Sequence, residues 1–279
     1  MKKRMWKNAL FHILIILTGL SMVYPLLWML RSSFSDRTKM FSSVSLWPDP
    51  IVLSNYAEGW RGLSGITFST FFLNSFLIVL LVMAGTVFSS ILAGYAFARV
   101  KFRMRGFWFT IMMGTMMLPL HVKLVPQYIV FYKLGWVNTF LPLAVPSFFG
   151  INGFFIFLFT QFMRGIPQEL DEAATIDGCH HFQLFARIHV PLSVPAIITA
   201  SIFAFLWTWN DFFTQMLYLS DIKKFTVALA LRMFIDSQGQ SSWGALFAMS
   251  ILSLIPLFVM FIAFQKYLVE GITAGSIKG

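Results

Sequence analysis

Residues 166–195 read IPQELDEAATIDGCHHFQLFARIHVPLSVP and connect two long apolar runs, yet they carry the signals of ordered helices. Pro167 suits the first position of a helix, and the acidic residues after it favour the positive end of the helix dipole. Gly178 can end that helix, because glycine adopts the left-handed conformation at little cost. A second helix is predicted over 180–190, ending before Pro191. The connection is therefore predicted to fold as two short helices joined by a glycine turn.

The sequence around this connection is too apolar for a water-soluble domain. Of its 279 residues, 58% are hydrophobic and 11% are charged, and the mean hydropathy is +0.75. Soluble domains usually carry about 25% charged residues, whereas a helix that crosses a bilayer needs roughly 20 apolar residues. We predict an all-α membrane protein with about six transmembrane helices. They lie near residues 9–30, 71–98, 107–125, 140–162, 196–217 and 243–264.

The first apolar run could be a secretory signal, because Lys2, Lys3, Arg4 and Lys7 precede it. Its apolar stretch is longer than a typical signal core, and no small-x-small cleavage site follows it. We therefore interpret this run as a retained first transmembrane helix.

The basic residues predict the orientation of the chain. The formal net charge is +10, but the lysines and arginines lie in short clusters between apolar runs. That pattern is typical of loops beside membrane helices and does not favour nucleic-acid binding. The clusters at 2–7 and 99–105 should remain in the cytoplasm. With six spans, residues 164–195 and the C-terminal tail lie on the same side, and the segments 31–70, 126–139 and 220–242 lie outside.

One membrane domain is expected, in three parts. Residues 1–70 supply a cytoplasmic N-terminus, the first transmembrane helix and an outer cap loop. Residues 71–266 form the transmembrane core, which includes the cytoplasmic loop 165–195. Residues 267–279 form a cytoplasmic tail. The single cysteine, Cys179, excludes an intrachain disulfide.

The connection carries a recognisable signature. Glu172, Ala173 and Ala174, followed by Gly178 and then by Ile188 and Pro191, resemble the EAA signature of ABC importer permeases. The resemblance extends over nearly the whole chain and favours the maltose-type, carbohydrate-uptake branch, as the smaller permease partner. Its further matches are Leu118, Pro119, Pro126, Leu134, Gly135, Trp136 and the segments 207–211 and 271–275. The resemblance implies the type I ABC importer permease fold.

In that family the loop 165–195, called the EAA loop below, docks on a separate ATPase. The resemblance implies four kinds of partner: a second homologous permease, two ATP-binding subunits, an extracytoplasmic sugar-binding protein and the lipid bilayer. It also implies a multi-pass location in a bacterial cytoplasmic membrane, with both termini in the cytoplasm. The residues that it assigns to ATPase coupling are Glu172, Ala173, Ala174, Asp177, Gly178, Ile188 and Pro191.

No enzymatic activity and no cofactor are expected for this chain itself. Its sequence has no G-x-x-x-x-G-K-[ST], the loop that cradles nucleotide phosphates. ATP and Mg would therefore be bound by the partner ATPase. His180 and His181 are adjacent and would point about 100° apart on a helix, so they suit surface positions better than one metal site.

Trp209, Asn210 and Asp211 are candidates for the substrate path. They lie in the predicted fifth span, where a carboxylate is costly and usually faces a cavity or a partner. Aromatic rings stack on sugars, and amide or carboxylate groups bond to hydroxyls. The alternative is a polar group that pins helices together near the outer boundary.

Three alternatives to sugar import differ in what they require of the sequence. A permease for another solute, such as a glycerol-phosphate-type compound, would share the same fold. An ion-coupled secondary transporter commonly shows repeated, broken helices around a midplane site, and the sequence shows no internal repeat. An intramembrane enzyme would need several convergent reactive groups within the spans, where Asp211 is nearly alone.

The predicted orientation is tested by labelling. Arg103→Cys, in a background with Cys179→Ser, should not react with a membrane-impermeant thiol reagent added to intact cells, because residues 99–105 face the cytoplasm. It should react once the membrane is opened. Labelling from outside in intact cells would contradict the topology.

Overall fold

The computed structural model describes residues 2–36, 40–42, 45, 47–62, 64–235 and 242–273. The predicted outer segment 220–242 and the tail 267–279 therefore lie partly outside the described residues, as does part of the match at 271–275. The chain divides into two compact units. One comprises Met1–Ser69 and Ala230–Ile255, and the other comprises Thr70–Leu229 and Pro256–Gly279.

The first unit is built on helix α1 (Lys2–Ser33) and the short helix α2 (Ser54–Arg61). The apolar surface of α1 is exposed from Leu10 to Leu27, with no buried position in its most hydrophobic 18-residue window. Such a surface requires lipid or another apolar partner. At the end of α1, the Asn55 side-chain amide donates to the carbonyl oxygens of Ser33, at 2.9 Å, and Ser35, at 3.1 Å.

The second unit contains most of the long helix α3 (Phe68–Arg99) and a series of shorter helices. These begin with α4 (Arg105–Met116), α5 (Leu120–Lys133) and α6 (Leu141–Ala144). A 3-10 turn (Val145–Phe149) leads from α6 towards α7 (Gly153–Arg164).

The EAA loop follows with three short helices: α8 (Glu169–Ile176), α9 (His181–Leu184) and, after a π-helical turn (Phe185–His189), α10 (Val190–Leu192). Next come α11 (Val194–Trp209), α12 (Phe213–Tyr218) and α13 (Val227–Met233). The last helix is α14 (Trp243–Thr273).

The core of the second unit lies where α3, α7 and α11 pack together. Phe155, Phe159 and Met163 of α7 are almost fully buried there, together with small residues of α11 such as Ala200. The helices approach closely because α3 presents Gly94, at which an added Cβ would lie 2.5 Å from the Cβ of Phe159. Small residues at such a contact let backbones approach in the absence of a hydrophobic driving force between helices.

Within the described residues, four helices are long and apolar enough to cross a membrane, and six spans result if each of two bent helix pairs counts as one. The all-helical fold with about six spans is therefore confirmed. The bent pairs are Arg105–Met116 with His121–Lys133, at 101°, and His181–Leu192 with Val194–Trp209, at 72°.

The predicted third span, 107–125, is not one helix. It ends at Met116, and a new helix begins at Leu120 with Pro119 as its N-cap. Proline disfavours a helical conformation in the residue before it, which explains why the break falls at this point. Pro126, which directly follows the predicted span, lies inside α5.

The predicted fifth span, 196–217, is also interrupted. Helix α11 ends at Trp209, and Asn210 bonds through its side-chain amide to the carbonyl of Leu206, at 2.8 Å. The Asp211 carboxylate accepts from the backbone N–H of Thr214, at 3.0 Å, at the start of α12. Asn and Asp side chains compete with the helical ladder in this way, so the Asn-Asp pair divides the apolar run.

In the EAA loop, the glycine turn is confirmed. Gly178 has a φ of +84°. The N–H of Cys179 donates to the carbonyl of Ala174, at 2.9 Å, and that of Gly178 to Thr175, at 3.0 Å. These two bonds form a Schellman motif. The second helix does not stop before Pro191, because the π-helical turn and α10 carry it to Leu192.

The close contact at Gly94 gives a test of the packing. Gly94→Leu should lower the free energy of unfolding of the detergent-solubilised protein by roughly 1–3 kcal/mol or more, because the side chain would meet the backbone of α7. The melting temperature should fall accordingly. Gly106→Leu is the matched control, since an added Cβ there meets no atom within 4 Å. Equal melting temperatures for the two variants would show that α3 and α7 do not pack as described.

Candidate functional site

A buried charged cluster holds the EAA loop on the membrane helices. Arg99 is the last residue of α3, and its Nη1 lies 3.4 Å from Oδ2 of Asp171 in α8. Asp171 Oδ1 lies 2.7 Å from Nε2 of His189 in the π-helical turn. The Arg99 side chain is 7% exposed and that of His189 is fully buried. One carboxylate therefore joins α3 to both helical parts of the EAA loop.

Arg99 also fixes the chain that enters the loop. Its Nη2 donates to the carbonyl of Met163, at 2.6 Å, and to that of Ile166. These carbonyls lie in and just after the last turn of α7, where a helix leaves its acceptors without an internal partner. A guanidinium presents several donors in a fixed plane and can serve the carboxylate and the carbonyls together.

His189 takes part as a neutral donor. Burial lowers the pKa of its imidazole below the ordinary value, and the hydrogen bond to Asp171 acts in the opposite direction. Its Nδ1 is buried without a hydrogen-bond partner, so a proton on that atom would be unsatisfied. The arrangement favours the tautomer in which Nε2–H donates to Asp171.

Tyr95, one turn before Arg99, completes the attachment. Its hydroxyl donates to the carbonyl of His181, at 3.2 Å. Its ring contacts those of Phe185 and His189, with centroids 5.2 Å and 5.1 Å away. The last two turns of α3 therefore contact α8, α9 and the π-helical turn.

The opposite face of α8 is open. Glu172, Ala173 and Ile176 are exposed, Ile176 to 86%. Ala174, which the resemblance assigns to ATPase coupling together with Ala173, is instead buried within this chain. The helical repeat places Asp171 and Ala174 on one face and Glu172 and Ile176 on another.

The remaining residues predicted for coupling occupy several environments. Asp177 is the C-cap of α8 and is exposed, Ile188 is partly buried, and Pro191 is exposed at the start of α10. His180 caps α9 by accepting from the backbone of Gln183, in a reciprocal capping box. This explains His180 as a structural residue of the loop.

A second feature is a cavity of about 690 Å³ whose mostly apolar wall carries several polar side chains. Asn210 and Asp211, at the break between α11 and α12, contribute to its wall together with Trp207 and Thr208. Its lining comprises Val82, Thr86, Asn152, Phe155, Phe203, Ala204, Leu206, Trp207, Thr208, Asn210, Asp211 and Thr214. The break in the helix therefore places two polar side chains at a cavity in an otherwise apolar region.

Trp209 does not belong to this cavity. It is 5% exposed and packs against Phe205, Phe76 and Phe72, with ring centroids 5.6, 5.0 and 6.0 Å away. Trp207 lines the cavity instead, 47% exposed. Two residues apart on a helix point about 200° apart, so only one of the two tryptophans can face the cavity.

Three residues of the charged cluster were missed from sequence. Arg99 was interpreted as one of a row of basic loop residues, Asp171 as a favourable charge near a helix start, and His189 was not singled out. The usable signal was the helical spacing that sets Asp171 apart from Glu172. The pairing itself joins distant segments, which no local pattern encodes.

An all-helical membrane protein with a folded loop attached to its helix ends, and with a cavity that carries polar side chains between its helices, has the architecture of a transport permease. The family described as binding-protein-dependent transport system inner membrane component matches residues 85–274. This chain belongs to that family, and it is the membrane-spanning permease subunit of an ABC importer.

Similar proteins agree with this assignment. The chain is 35% identical to the probable ABC transporter permease protein YurM of Bacillus subtilis, over 93% of this chain and 85% of the relative. It is 34% identical to the trehalose/maltose transport system permease protein MalG of Thermococcus litoralis, over the whole length of both.

A solved structure confirms the fold. A chain of a bacterial ABC transporter involved in the import of the acidic polysaccharide alginate superposes with a TM-score of 0.84. The superposition covers 96% of this chain and 98% of that chain, at 20% sequence identity. The predicted type I ABC importer permease fold is confirmed.

Proposed function

We propose that this permease imports a sugar or oligosaccharide and forms half of its translocation path. The observation that carries the proposal is the composition of the cavity at the α11–α12 break. Trp207 offers a ring face, while Asn210, Asp211 and Thr208 offer groups that bond to hydroxyls. A full-length relative whose name specifies trehalose and maltose supports the same solute class.

The cavity does not favour a phosphorylated solute. None of the described residues that line it is basic, and Asp211 adds a carboxylate. Recognition of phosphate normally uses Arg, Lys or a cluster of backbone N–H groups. The glycerol-phosphate-type alternative is therefore less well supported than a neutral polyhydroxyl solute.

The site of action is the cytoplasmic membrane of a bacterial cell. The basic clusters at 2–7 and 99–105 support cytoplasmic termini and a cytoplasmic EAA loop. On this topology, residues 1–70 supply the first helix and an outer cap, 71–266 the transmembrane core, and 267–279 a cytoplasmic tail. The cavity residues Val82 and Thr86 lie about halfway along α3, away from the end of the helix that holds the EAA loop.

The EAA loop is the coupling element in this proposal. Helix α8 exposes Glu172, Ala173 and Ile176 for contact with a separate ATPase, while its other face is fixed to this chain through Asp171. Gly178 forms the turn after α8. Its neighbours in the EAA loop that the proposal also assigns to coupling are Asp177, Ile188 and Pro191. Ala174 would contribute as a packed small residue rather than as a contact.

The complete transporter would contain two permeases, two ATP-binding subunits and an extracytoplasmic sugar-binding protein. ATP and Mg would be bound by the ATPase subunits, and this chain would supply no catalytic group. Membership of a binding-protein-dependent family supports these kinds of partner.

The sugar path is tested at the cavity. Trp207→Ala and Asp211→Asn should reduce uptake of radiolabelled trehalose or maltose by roughly tenfold or more, because stacking and hydroxyl-binding groups are lost. ATPase attachment, measured by copurification, should not change. Phe213→Leu is the control outside the cavity lining. Wild-type uptake in both cavity variants would contradict the proposed path.

Coupling is tested at Gly178. Gly178→Leu should lower transport roughly tenfold, because the left-handed conformation costs most side chains about 1–2 kcal/mol. An added Cβ there meets no atom within 4 Å, so the expected cause is conformational rather than steric. Gly178→Asn should retain more transport, since asparagine tolerates this conformation.

The readouts for Gly178 are the amount of inserted permease, copurification of the ATPase and ATP hydrolysis stimulated by the loaded binding protein. The expected result is normal insertion with weakened attachment or unresponsive hydrolysis. Full transport and normal ATPase binding in Gly178→Leu would reduce the EAA loop to a folded connector.

A further inference from the structure

Helix α3 reaches from the charged cluster at Arg99 to the segment 223–227, which is bonded to its other end. It runs without a proline through 32 residues, Phe68–Arg99. At 1.5 Å per residue it is about 48 Å long, which exceeds the roughly 30 Å of a bilayer's hydrocarbon core. The distance from Asn74 to Arg99 along the helix is about 38 Å by the same rise. Both residues therefore lie near or beyond the edges of the hydrocarbon.

The end of α3 opposite Arg99 is fastened to the segment 223–227. The Asn74 side-chain amide donates to the carbonyls of Lys223 and Phe225, each at 2.9 Å. The hydroxyl oxygen of the buried Ser75 accepts from the backbone N–H of Val227, at 2.9 Å. Three bonds from two adjacent residues hold the segment to the helix.

The same segment is bonded to the wall of the substrate cavity. The Thr226 hydroxyl donates to Oε1 of Gln215, which is 2% exposed. The Gln215 amide donates in turn to the carbonyl of Thr208, at 3.0 Å, and Thr208 lines the cavity. A movement of the segment 223–227 would strain buried hydrogen bonds unless Gln215 and the cavity wall moved with it.

At its other end, α3 is fastened to the EAA loop through Arg99, as described above. Removing one member of a buried ion pair leaves an uncompensated charge, so the pair resists separation. An α-helix held by polar contacts at both ends transmits displacement along its axis more faithfully than a loop.

We propose that α3 is a strut that links the ATPase-facing EAA loop to the segment 223–227 and, through Gln215, to the substrate cavity. The inference rests on the proposed function, because it assumes that the EAA loop binds the ATPase. It adds a second route for coupling beside the direct connection from the EAA loop into α11. Asn74 and Asp171 are then positioning residues for the attachments at the two ends of α3.

The experiment uses the complete transporter, purified with its partner subunits and placed in lipid nanodiscs. A single thiol is introduced by Ser220→Cys in a Cys179→Ser background, three residues before the fastened segment. Its reaction rate with a charged maleimide is measured without nucleotide and after trapping with MgATP and vanadate. Trapping should change the rate by at least roughly fivefold, the lower range of coupling between linked sites.

Asn74→Ala and Asp171→Asn should each abolish this change while vanadate is still trapped. If Asp171 only stabilised the EAA loop, Asp171→Asn would lower the yield of the complex. The complexes that still form would then show the normal change in the reaction rate of the thiol at position 220. Two matched controls should retain the response. Glu169→Gln removes a carboxylate from the same helix as Asp171, and Ser69→Ala removes a hydroxyl that bonds to Thr67 instead of to the segment 223–227.

The outcomes distinguish a failure of the proposed function from a failure of the strut. Absence of ATP-dependent vanadate trapping in the otherwise unmodified transporter would defeat the proposed function. Normal trapping without a change at the introduced thiol, or an undiminished change in Asn74→Ala, would overturn the strut. If Asp171→Asn fails to assemble, Asn74→Ala alone decides the question, because it lies far from the ATPase.

Discussion

The absence of water in the bilayer core is the constraint on which this structure depends. Backbone groups that are freed inside the bilayer must find partners within the protein. Where α3 leaves the hydrocarbon on the predicted topology, side chains supply the attachment: the Asp171 carboxylate joins Arg99 of α3 to His189 of the EAA loop. Arg99 also supplies donors to the carbonyls that follow α7. A single cluster therefore supplies partners at a helix end and attaches the EAA loop to the membrane helices.

The same constraint explains where the helices break. Breaks in apolar runs leave backbone groups unpaired, so they occur where a side chain can replace the lost bonds. Asn210 and Asp211 do this between α11 and α12, by bonding to the carbonyl of Leu206 and to the N–H of Thr214. The residues that end one helix and begin another thereby become the polar wall of a cavity. Asn210 and Asp211 therefore both replace lost backbone bonds and line the proposed sugar path.

The EAA loop has two faces with different tasks. One face of α8, with Asp171 and Ala174, belongs to the interior of this chain, whereas Glu172, Ala173 and Ile176 remain open. Helix α8 thus combines attachment to the membrane helices with a free surface, and the proposed coupling to an ATPase requires both. The Schellman motif at Gly178 adds a defined end to α8 without crowding either face. This division is why adjacent residues of one signature have separate roles.

The sequence by itself determined that the chain lies in lipid, which class of protein it belongs to, and where its folded EAA loop lies between two apolar runs. The length of the apolar runs predicts the membrane spans, and the clusters of basic residues predict their orientation. Gly178 predicts a turn from its own backbone preference. Only the tertiary structure decided that Asp171 pairs with Arg99 and His189, and that Trp207 rather than Trp209 faces the cavity. Helical periodicity shows that two such residues point to different sides, but it does not show what lies on each side. That choice depends on contacts between distant segments, here α3, α7 and α11, whose packing sets which face of each helix is buried.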